Sequence, residues 1–215
     1  MSEISAPLDQ GYSSDIAFTP AVKAIQARKG SRKGYAAMEA RGGWDTRLIP
    51  EVADFISRQR SFLMATASKD GQPYIQHRGG PPGFLRIVDD TTLAFADYAG
   101  NRQYISAGNL SENPKAMLFL IDYRTQQRLK IWGEAKMVEG DADLLRQLMP
   151  EGYRARGEQV LLFKIAAWDR NCPQHIPLRL DVDEVSDLVA VRDERIRALE
   201  SEVAELRLRL DKATA

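Results

Sequence analysis

Short runs of apolar residues, separated by turn residues, dominate the middle of this chain of 215 residues. Seven runs are predicted to be β-strands, because they are rich in β-branched, aromatic and other apolar residues and end at turn residues. One turn, SKDGQ, carries the Asp-Gly pair of a tight hairpin, and Gly133 indicates a bulge inside the sixth run. In chain order the runs are SFLMATA (61–67), PYIQHR (73–78), FLRIV (84–88), TLAFA (92–96), AMLFLID (116–122), RLKIWGEAKMV (128–138) and VLLFKIAAW (160–168).

Helical spacing of apolar residues occurs in only a few short segments. Val52, Phe55 and Ile56 recur behind Pro50, a residue that favours the first helical position. The segment 141–149 begins with a capping Asp and continues with helical periodicity. Because most gaps between the runs are too short for a crossover helix, the pattern predicts a mainly β fold of the α+β class. Six to seven antiparallel strands are expected to close into a barrel with short helices.

The C-terminal segment has a seven-residue repeat. β-branched residues at position a with Leu at d favour a parallel two-stranded coiled coil, in which Arg195 lies opposite Glu200 of the second helix. Glu202 likewise lies opposite Arg207, so both flanking pairs are attractive. The alternative is an amphipathic helix packed on its own barrel, and Arg192 at a d position weighs against the coiled coil. Position a is occupied by Val182, Val189, Ile196, Val203 and Leu210, and position d by Val185, Arg192, Leu199 and Leu206.

Charge and composition exclude some function classes. Hydrophobic residues make up 44% of the chain, which argues against disorder, and the formal net charge of zero gives no electrostatic sign of nucleic-acid binding. A basic stretch, KAIQARKGSRK (23–33), is expected to be a solvated arm, with a surface for phosphate or an acidic partner as the less favoured alternative. No apolar run approaches the ~18 residues of a membrane span.

The single cysteine, Cys172, rules out an internal disulfide and fits a reducing compartment. The N-terminus lacks the charged and apolar regions of a secretory signal, so a cytoplasmic protein is expected. Cys172 and His175 have C-x-x-H spacing, but a zinc site would have to recruit carboxylates, and no metal is predicted. A buried or flavin-lining thiol is favoured over a Cys172 nucleophile with His175 as its base.

The stretch GNRQ (100–103) follows the fourth run, where a strand gives way to a helix. Asn101 is predicted to cap a helix that begins at Arg102, whose first turn presents backbone N–H groups without intrahelical partners. The helix dipole, the Arg102 guanidinium and a Gly100 that admits close approach make this turn a candidate seat for a phosphate group. An ordinary capped helix start with a surface arginine is the alternative.

Several pieces of the chain, in one order, resemble a known family. From about residue 50 to 140 the chain resembles the pyridoxamine 5′-phosphate oxidase-like, FMN-binding split β-barrels. The matching pieces are LMATASKDGQPYIQHRGG, GFLRIVDDTTLAFADYAGNRQYISAGNLSENPKAMLFLIDY and RLKIWGEAKMV, which include the family's Gly-Ser/Asn-Arg turn and its Asn-Pro strand entry. A later segment, WDRNCPQHIP, is similar to the C-terminal segment of one flavin-binding branch.

The resemblance implies an FMN-binding homodimer with two flavin sites at the subunit interface. By position, it places Asn101, Arg102 and Gln103 where family members hold the FMN phosphate. It also implies that the backbone of Ala96 and Asp97 lies near the flavin. The remaining residues expected to line or close the cofactor site are Gln76, His77, Arg78, Arg128, Trp168, Asn171 and His175.

Two departures from the family bear on the chemistry. Arg128 stands where the oxidase has a glutamine that touches the flavin, and a cation there would stabilise anionic reduced flavin. The oxidase's C-terminal Arg-x-His substrate clamp has no counterpart here, where the only histidines are His77 and His175. The sequence therefore predicts an FMN-dependent oxidoreductase that acts on a different substrate, and it identifies no catalytic residue. A non-catalytic module that binds or senses flavin, haem or a deazaflavin is the alternative.

The predicted organisation has three parts. Residues 1–49 form an N-terminal extension that packs on the barrel or on a partner. Residues 50–180 form the FMN-binding split barrel, and residues 181–215 form the C-terminal coiled-coil helix.

Overall fold

The computed structural model describes residues 11–170 and 174–214, and the chain divides into two compact units. The first unit contains the chain up to Asp122 together with Gln127–Gln174, and the second contains Tyr123–Gln126 and the chain from His175 onward. The helices of the first unit are a 3-10 turn at Ser13–Ile16, α1 (Pro20–Lys29), α2 (Arg32–Glu39), α3 (Pro50–Arg58), α4 (Ile105–Glu112) and α5 (Ala142–Leu148). Its strands are β1 (Ser61–Ala67), β2 (Pro73–Gly79), β3 (Arg86–Asp89), β4 (Thr92–Tyr98), β5 (Lys115–Asp122), β6 (Gln127–Val138) and β7 (Gly157–Arg170).

The strands form one antiparallel sheet in the order β2-β1-β5-β6-β7-β4-β3. All seven predicted runs are strands of this sheet, so the predicted mainly antiparallel fold is confirmed. The sheet curls until β2, at one edge, reaches β4, where Arg78 and Asp97 form an ion pair of 2.7 Å. Side chains rather than backbone hydrogen bonds span this gap, which is the split of a split barrel.

The long strands β6 and β7 bend at the predicted bulge. Their register shifts between Trp132 and Gly133. A Cβ on Gly133 would collide with the backbone oxygen of Lys164, so only glycine permits the two backbones to approach this closely.

Two apolar clusters cover the two faces of the curled sheet. Inside the barrel, Val52, Phe55 and Ile56 of α3 join the main core, as their spacing predicted. On the outer face of β4 and β7, Leu148 of α5 packs in a second cluster with alanine and valine side chains of these strands. The capping Asp predicted for α5 is confirmed, since Asp141 Oδ1 accepts a hydrogen bond of 2.9 Å from the Leu144 amide.

The N-terminal basic stretch is helical rather than an open arm. Lys23 of α1 and Arg32 of α2 both form ion pairs with Glu39, whose side chain is only 2% exposed. For these two residues the predicted solvated arm is wrong, because a buried carboxylate requires cationic partners. After α2 the chain meets the barrel, where Trp44 stacks on Trp132 of β6 with ring centroids 4.6 Å apart.

The second unit is dominated by α6, which runs from Val182 to Thr214. Its 33 residues span ~50 Å at 1.5 Å per residue, which confirms the predicted long C-terminal helix. Within residues 11–170 and 174–214, none of the helices combines the length and the apolar character needed to cross a lipid bilayer.

Candidate functional site

A buried ion pair lies at the split in the barrel. Strand alternation turns Gln76 and Arg78 of β2 inward, and Asp97 lies near the end of β4. The Arg78 and Asp97 side chains are only 14% and 8% exposed, and Arg78 Nη1 lies 2.7 Å from Asp97 Oδ1. Gln159 of β7 donates a hydrogen bond of 3.0 Å to the other carboxylate oxygen, and the guanidinium lies 5.9 Å from the centre of the Phe95 ring.

Burial raises the pKa of Asp97, while the Arg78 charge and the Gln159 hydrogen bond oppose this effect. Desolvation is the largest of these influences, since a carboxylate removed from water loses hydration that two partners replace only in part. Arg78 Nε is also buried and has no hydrogen-bond partner among the described residues. The pair is therefore held in place at an electrostatic cost, and one donor of its guanidinium remains unused.

The turn after β4 differs from the prediction. Helix α4 begins at Ile105 rather than Arg102, and its N-cap residue is Tyr104. Arg102 and Tyr104 have φ values of 60° and 53°, a left-handed conformation that interrupts a right-handed helix. Asn101 instead closes a local turn, in which its Oδ1 accepts a hydrogen bond of 3.2 Å from the Gln103 amide.

Side-chain hydrogen bonds tie this turn to the barrel. Tyr104 accepts a hydrogen bond of 3.3 Å from Arg102 Nε and donates one of 2.7 Å to Glu158 at the start of β7. Behind the turn, Ser106 of α4 donates to the Gln76 side chain at 2.9 Å. The turn therefore has a fixed partner on β7, and helix α4 behind it has one on β2, although Arg102 itself is exposed.

These elements enclose a small cleft of about 40 Å³. It brings together half of the predicted cofactor-binding residues, and it also contains residues that were not predicted. The predicted residues in its lining are Gln76, Arg78, Asp97, Asn101, Arg102 and Gln103, and the others include Tyr98, Tyr104, Ser106, Glu158 and Gln159. Glu158 and Gln159, at the start of β7, line the cleft because β7 pairs with β4, where Gln159 lies opposite Asp97. No local sequence motif identifies these two residues.

The side chains of the other predicted residues of the first unit do not line this cleft. His77 is exposed, because it alternates with Gln76 and Arg78 along β2. Ala96 is buried in the cluster beneath α5. Trp168 is 5% exposed, and its indole donates a hydrogen bond of 2.9 Å to the Arg47 carbonyl oxygen.

Arg128 lines a separate cavity of about 120 Å³ together with Arg170 and side chains of α3. It lies near the start of β6, whereas Met137, near the end of β6, lines the cleft. The two lie nine residues apart on this strand, and Arg128 does not line the cleft that contains the 101–103 turn. Arg128 Nε is buried and, within the described residues, has no hydrogen-bond partner.

The last two predicted residues belong to the C-terminal part of the chain. Asn171 lies outside the described residues, as does Cys172. His175 belongs to the second unit, where it is exposed and has a φ of 65°. Within residues 11–170 and 174–214, no group of three or more His, Cys, Asp or Glu side chains is arranged to hold a metal ion.

A family model described as pyridoxamine 5′-phosphate oxidase matches residues 48–172, which is more than half of the chain. The chain belongs to this family. The match spans α3 and the whole sheet, and therefore every element that forms the cleft. No curated protein matches the chain.

Solved structures similar to this member of the pyridoxamine 5′-phosphate oxidase family have low sequence identity to it. The HupZ protein of Group A Streptococcus is 16% identical with a TM-score of 0.48, over 62% of this chain and all of its own. An FMN-binding protein of Syntrophomonas wolfei is 14% identical with a TM-score of 0.42, over 68% of this chain and 97% of its own. A Clostridium acetobutylicum protein related to general stress protein 26 is 15% identical with a TM-score of 0.44, over 63% and 94%.

Replacing Asp97 by Asn tests the ion pair in this family member. Asp97→Asn keeps the side-chain shape, but its amide nitrogen cannot accept the hydrogen bond from Gln159, so a buried donor loses its partner. We expect the free energy of unfolding near pH 4 to fall by about 1–3 kcal/mol, as for other buried donors left unpaired. Urea denaturation measures this loss.

The pH dependence of that loss reports the direction of the pKa shift. Because the pKa of Asp97 is raised in the folded state, its stabilising contribution is greatest below its unfolded pKa and is lost as the pH rises through the folded value. The stability gap between wild type and Asp97→Asn should therefore narrow as the pH rises above about 4, the ordinary pKa of an aspartate. Asp89→Asn is the control, because the Thr91 hydroxyl lowers the pKa of Asp89. Its stability gap to the wild type should widen, not narrow, as the pH rises. A gap that widens for Asp97 would show that the Arg78 charge lowers the pKa of Asp97 by more than burial raises it.

Proposed function

We propose that this protein is a cytoplasmic, homodimeric flavoprotein that binds FMN non-covalently and acts as an oxidoreductase on a substrate other than pyridoxamine 5′-phosphate. The observation that supports it most directly is the cleft at the split. In a chain of this family, one small volume gathers an exposed arginine, a largely buried arginine and several amide side chains. Such a set of donors fits a phosphate group.

The turn provides the donors that an FMN phosphate requires. Among the described residues, Arg102 donates a hydrogen bond only through Nε, to Tyr104. Its two terminal nitrogens can therefore donate to a phosphate oxygen. Gly100 has no neighbouring atom within 4 Å of where a Cβ would lie, so an anion can approach the backbone there. The Glu158 carboxylate beside Tyr104 opposes an anion, and we infer that Arg102 offsets that charge.

The flavin, when bound, would supply redox chemistry at its N5 atom, and the protein would bind and orient it. Arg78 and Asp97 form the rigid wall of the cleft, since both are largely buried and held by further contacts. The absence of an Arg-x-His clamp from the sequence favours a substrate other than that of the oxidase.

The cleft formed by a single chain is too small to hold a flavin ring system. Its volume of about 40 Å³ is far below the ~300 Å³ of a small ligand pocket, so the ring must lie largely outside it. A second copy would complete the site. The outer sheet face offers an apolar surface for that copy, on which Leu63 is 37% and Ile75 is 63% exposed.

Strand register places Arg128 on that same outer face. Leu63 pairs with Phe119 of β5, and Ile121, two residues further along β5, pairs with Arg128. Cross-strand partners and alternate residues of a strand share one side of a sheet. A copy packed on this face would therefore meet Arg128. We propose that Arg128 contacts the flavin of the second subunit rather than that of its own.

A non-catalytic flavin module is the second candidate, because the acidic groups of the cleft are already engaged. Asp97 is paired with Arg78, and Glu158 accepts from Tyr104. Neither is free to act as a general base in this arrangement. The same fold would then hold flavin, haem or a deazaflavin without turnover.

Arg102 should distinguish FMN from riboflavin, which lacks the phosphate. We expect the purified protein to show flavin absorption bands with FMN and to bind riboflavin at least about tenfold more weakly, since a charged hydrogen bond contributes ~1.5–3 kcal/mol. Arg102→Ala should remove most of this preference, as measured by quenching of flavin fluorescence. Arg146→Ala, at an exposed arginine of α5, is the control. A protein that takes up no FMN would refute the proposal.

A charge on the outer face should separate the two barrels. Ile75→Glu introduces a carboxylate where we place the interface, so the variant should bind FMN much more weakly, and in a chain that also lacks α6 it should be monomeric by light scattering. Val88→Glu, at an apolar residue of β3 that is 57% exposed, is the matched control and should remain dimeric. A monomeric Ile75→Glu variant with undiminished FMN affinity would show that the site lies within one chain.

Reduction of the bound flavin separates an enzyme from a carrier. For an oxidoreductase we expect reduced nicotinamide or a dye donor to bleach the flavin bands anaerobically, and a suitable acceptor to restore them. A flavin that resists every donor within minutes, while remaining fully bound, would favour the non-catalytic module. Stopped-flow absorbance measures both steps.

A further inference from the structure

The long helix α6 presents an apolar stripe, interrupted at one position, that is exposed in this chain. Of the eight apolar side chains at heptad positions a and d, all are at least 37% exposed, far more than core residues of the barrel. An exposed apolar seam of this length favours association with another helix. The residues are Val182, Val185, Val189, Ile196, Leu199, Val203, Leu206 and Leu210.

One charged residue interrupts the stripe. Arg192 takes the d position between Val189 and Ile196, and its side chain is 66% exposed. Asp193, at the neighbouring e position, accepts from Arg192 Nε at 3.2 Å and from Nη2 at 2.9 Å, both through one carboxylate oxygen. The arginine in the seam thus already has a carboxylate beside it on the flank.

We propose that two copies of α6 pair in parallel and in register, and that Arg192 and Asp193 of both chains form a charged layer across the seam that selects this arrangement. The inference extends the proposed homodimer, on which it rests, to a second contact that does not involve the flavin site. The partner is a second copy of this chain.

Coiled-coil packing brings the four charges together. In a parallel pair, a d side chain enters a hole whose walls include positions d and e of the facing helix. Each Arg192 therefore lies against Asp193 of the facing helix, and the layer has two positive and two negative charges. A buried polar layer lowers stability relative to leucine, but it specifies register and the number of helices.

Other arrangements lose this match. A slip of one heptad places one Arg192 beside Ser186 of the facing helix rather than beside a carboxylate. In an antiparallel pair with the same overlap, position a faces position d, and Arg192 lies against Val203 and Glu202. The e positions then face each other and bring Asp193 beside Glu200, a pair of like charges. Only the parallel, in-register pair gives both arginines and both Asp193 carboxylates an opposite charge. The flanking pairs between Arg195 and Glu200, and between Glu202 and Arg207, are attractive in that register as well.

Cross-linking of the full-length chain tests the arrangement. The single native thiol is removed by Cys172→Ser, and Leu199→Cys places one thiol at a d position. In the proposed pair the two thiols face each other, so mild oxidation should give a disulfide-linked dimer on a non-reducing gel. If instead Leu199→Cys chains cross-link efficiently only with Ile196→Cys chains, the helices are antiparallel and the proposal is wrong.

Charge variants in that background test the layer. Asp193→Lys puts four positive charges in one layer, and we expect cross-linking to slow at least tenfold, equivalent to ~1.4 kcal/mol. Exchange of the two charges, Arg192→Asp with Asp193→Arg, should restore the rate. Glu194→Lys makes the same charge change on the outer f position and should have no effect. Equal rates for Asp193→Lys and Glu194→Lys would rule out the layer.

Removal of the Arg192 charge should remove the preference for one helix register. Arg192→Leu should preserve the cross-linking rate but permit out-of-register disulfides between Leu199→Cys and Leu206→Cys chains, which are one heptad apart. Continued absence of those disulfides would overturn the role of Arg192 in register. FMN titration of every variant separates this inference from the proposed function, because tail variants should bind FMN like the wild type.

Discussion

The Arg78–Asp97 ion pair connects two strands that the sheet itself leaves apart. β2 stands at one edge of the sheet and β4 next to the other edge, so no backbone hydrogen bond joins them. The guanidinium and the carboxylate cross that gap while both are largely buried. Because a charge buried alone is costly, each residue requires the other, and their contact fixes the width of the split in which the candidate site is built.

The turn beside this pair combines strain with exposure. Arg102 and Tyr104 both adopt left-handed backbone conformations, which cost free energy in residues other than glycine and are maintained only where the surroundings compensate. The hydrogen bonds from Arg102 to Tyr104 and from Tyr104 to Glu158 provide that compensation. The same conformation presents the arginine to solvent, where an anionic ligand can reach it.

Charged side chains find their partners in different ways in the two units. In the barrel, Arg78 and Asp97 compensate each other within one chain, and so do Lys23, Arg32 and Glu39 beside it. In α6, Arg192 interrupts an apolar seam, and we propose that it is fully compensated only by a second copy. A charge that needs a partner chain reduces stability but makes the choice of partner specific.

The sequence by itself determined the strands, most of the helices and the repeat in the tail, because these depend on local periodicity, turn residues and capping. Pro50, the Asp-Gly turn, Gly133 and Asp141 each marked a boundary or bend that the structure contains. The helices of the basic stretch were not predicted, since their stability depends on Glu39, which becomes buried only when α1 and α2 pack together. Only the tertiary structure decided that Arg78 meets Asp97, that Glu158 and Gln159 line the same cleft, and that Arg128 lines a different cavity. Those relations follow from strand order and curl, which bring together residues up to 83 positions apart, Gln76 and Gln159, and leave no signal in any short stretch of the chain.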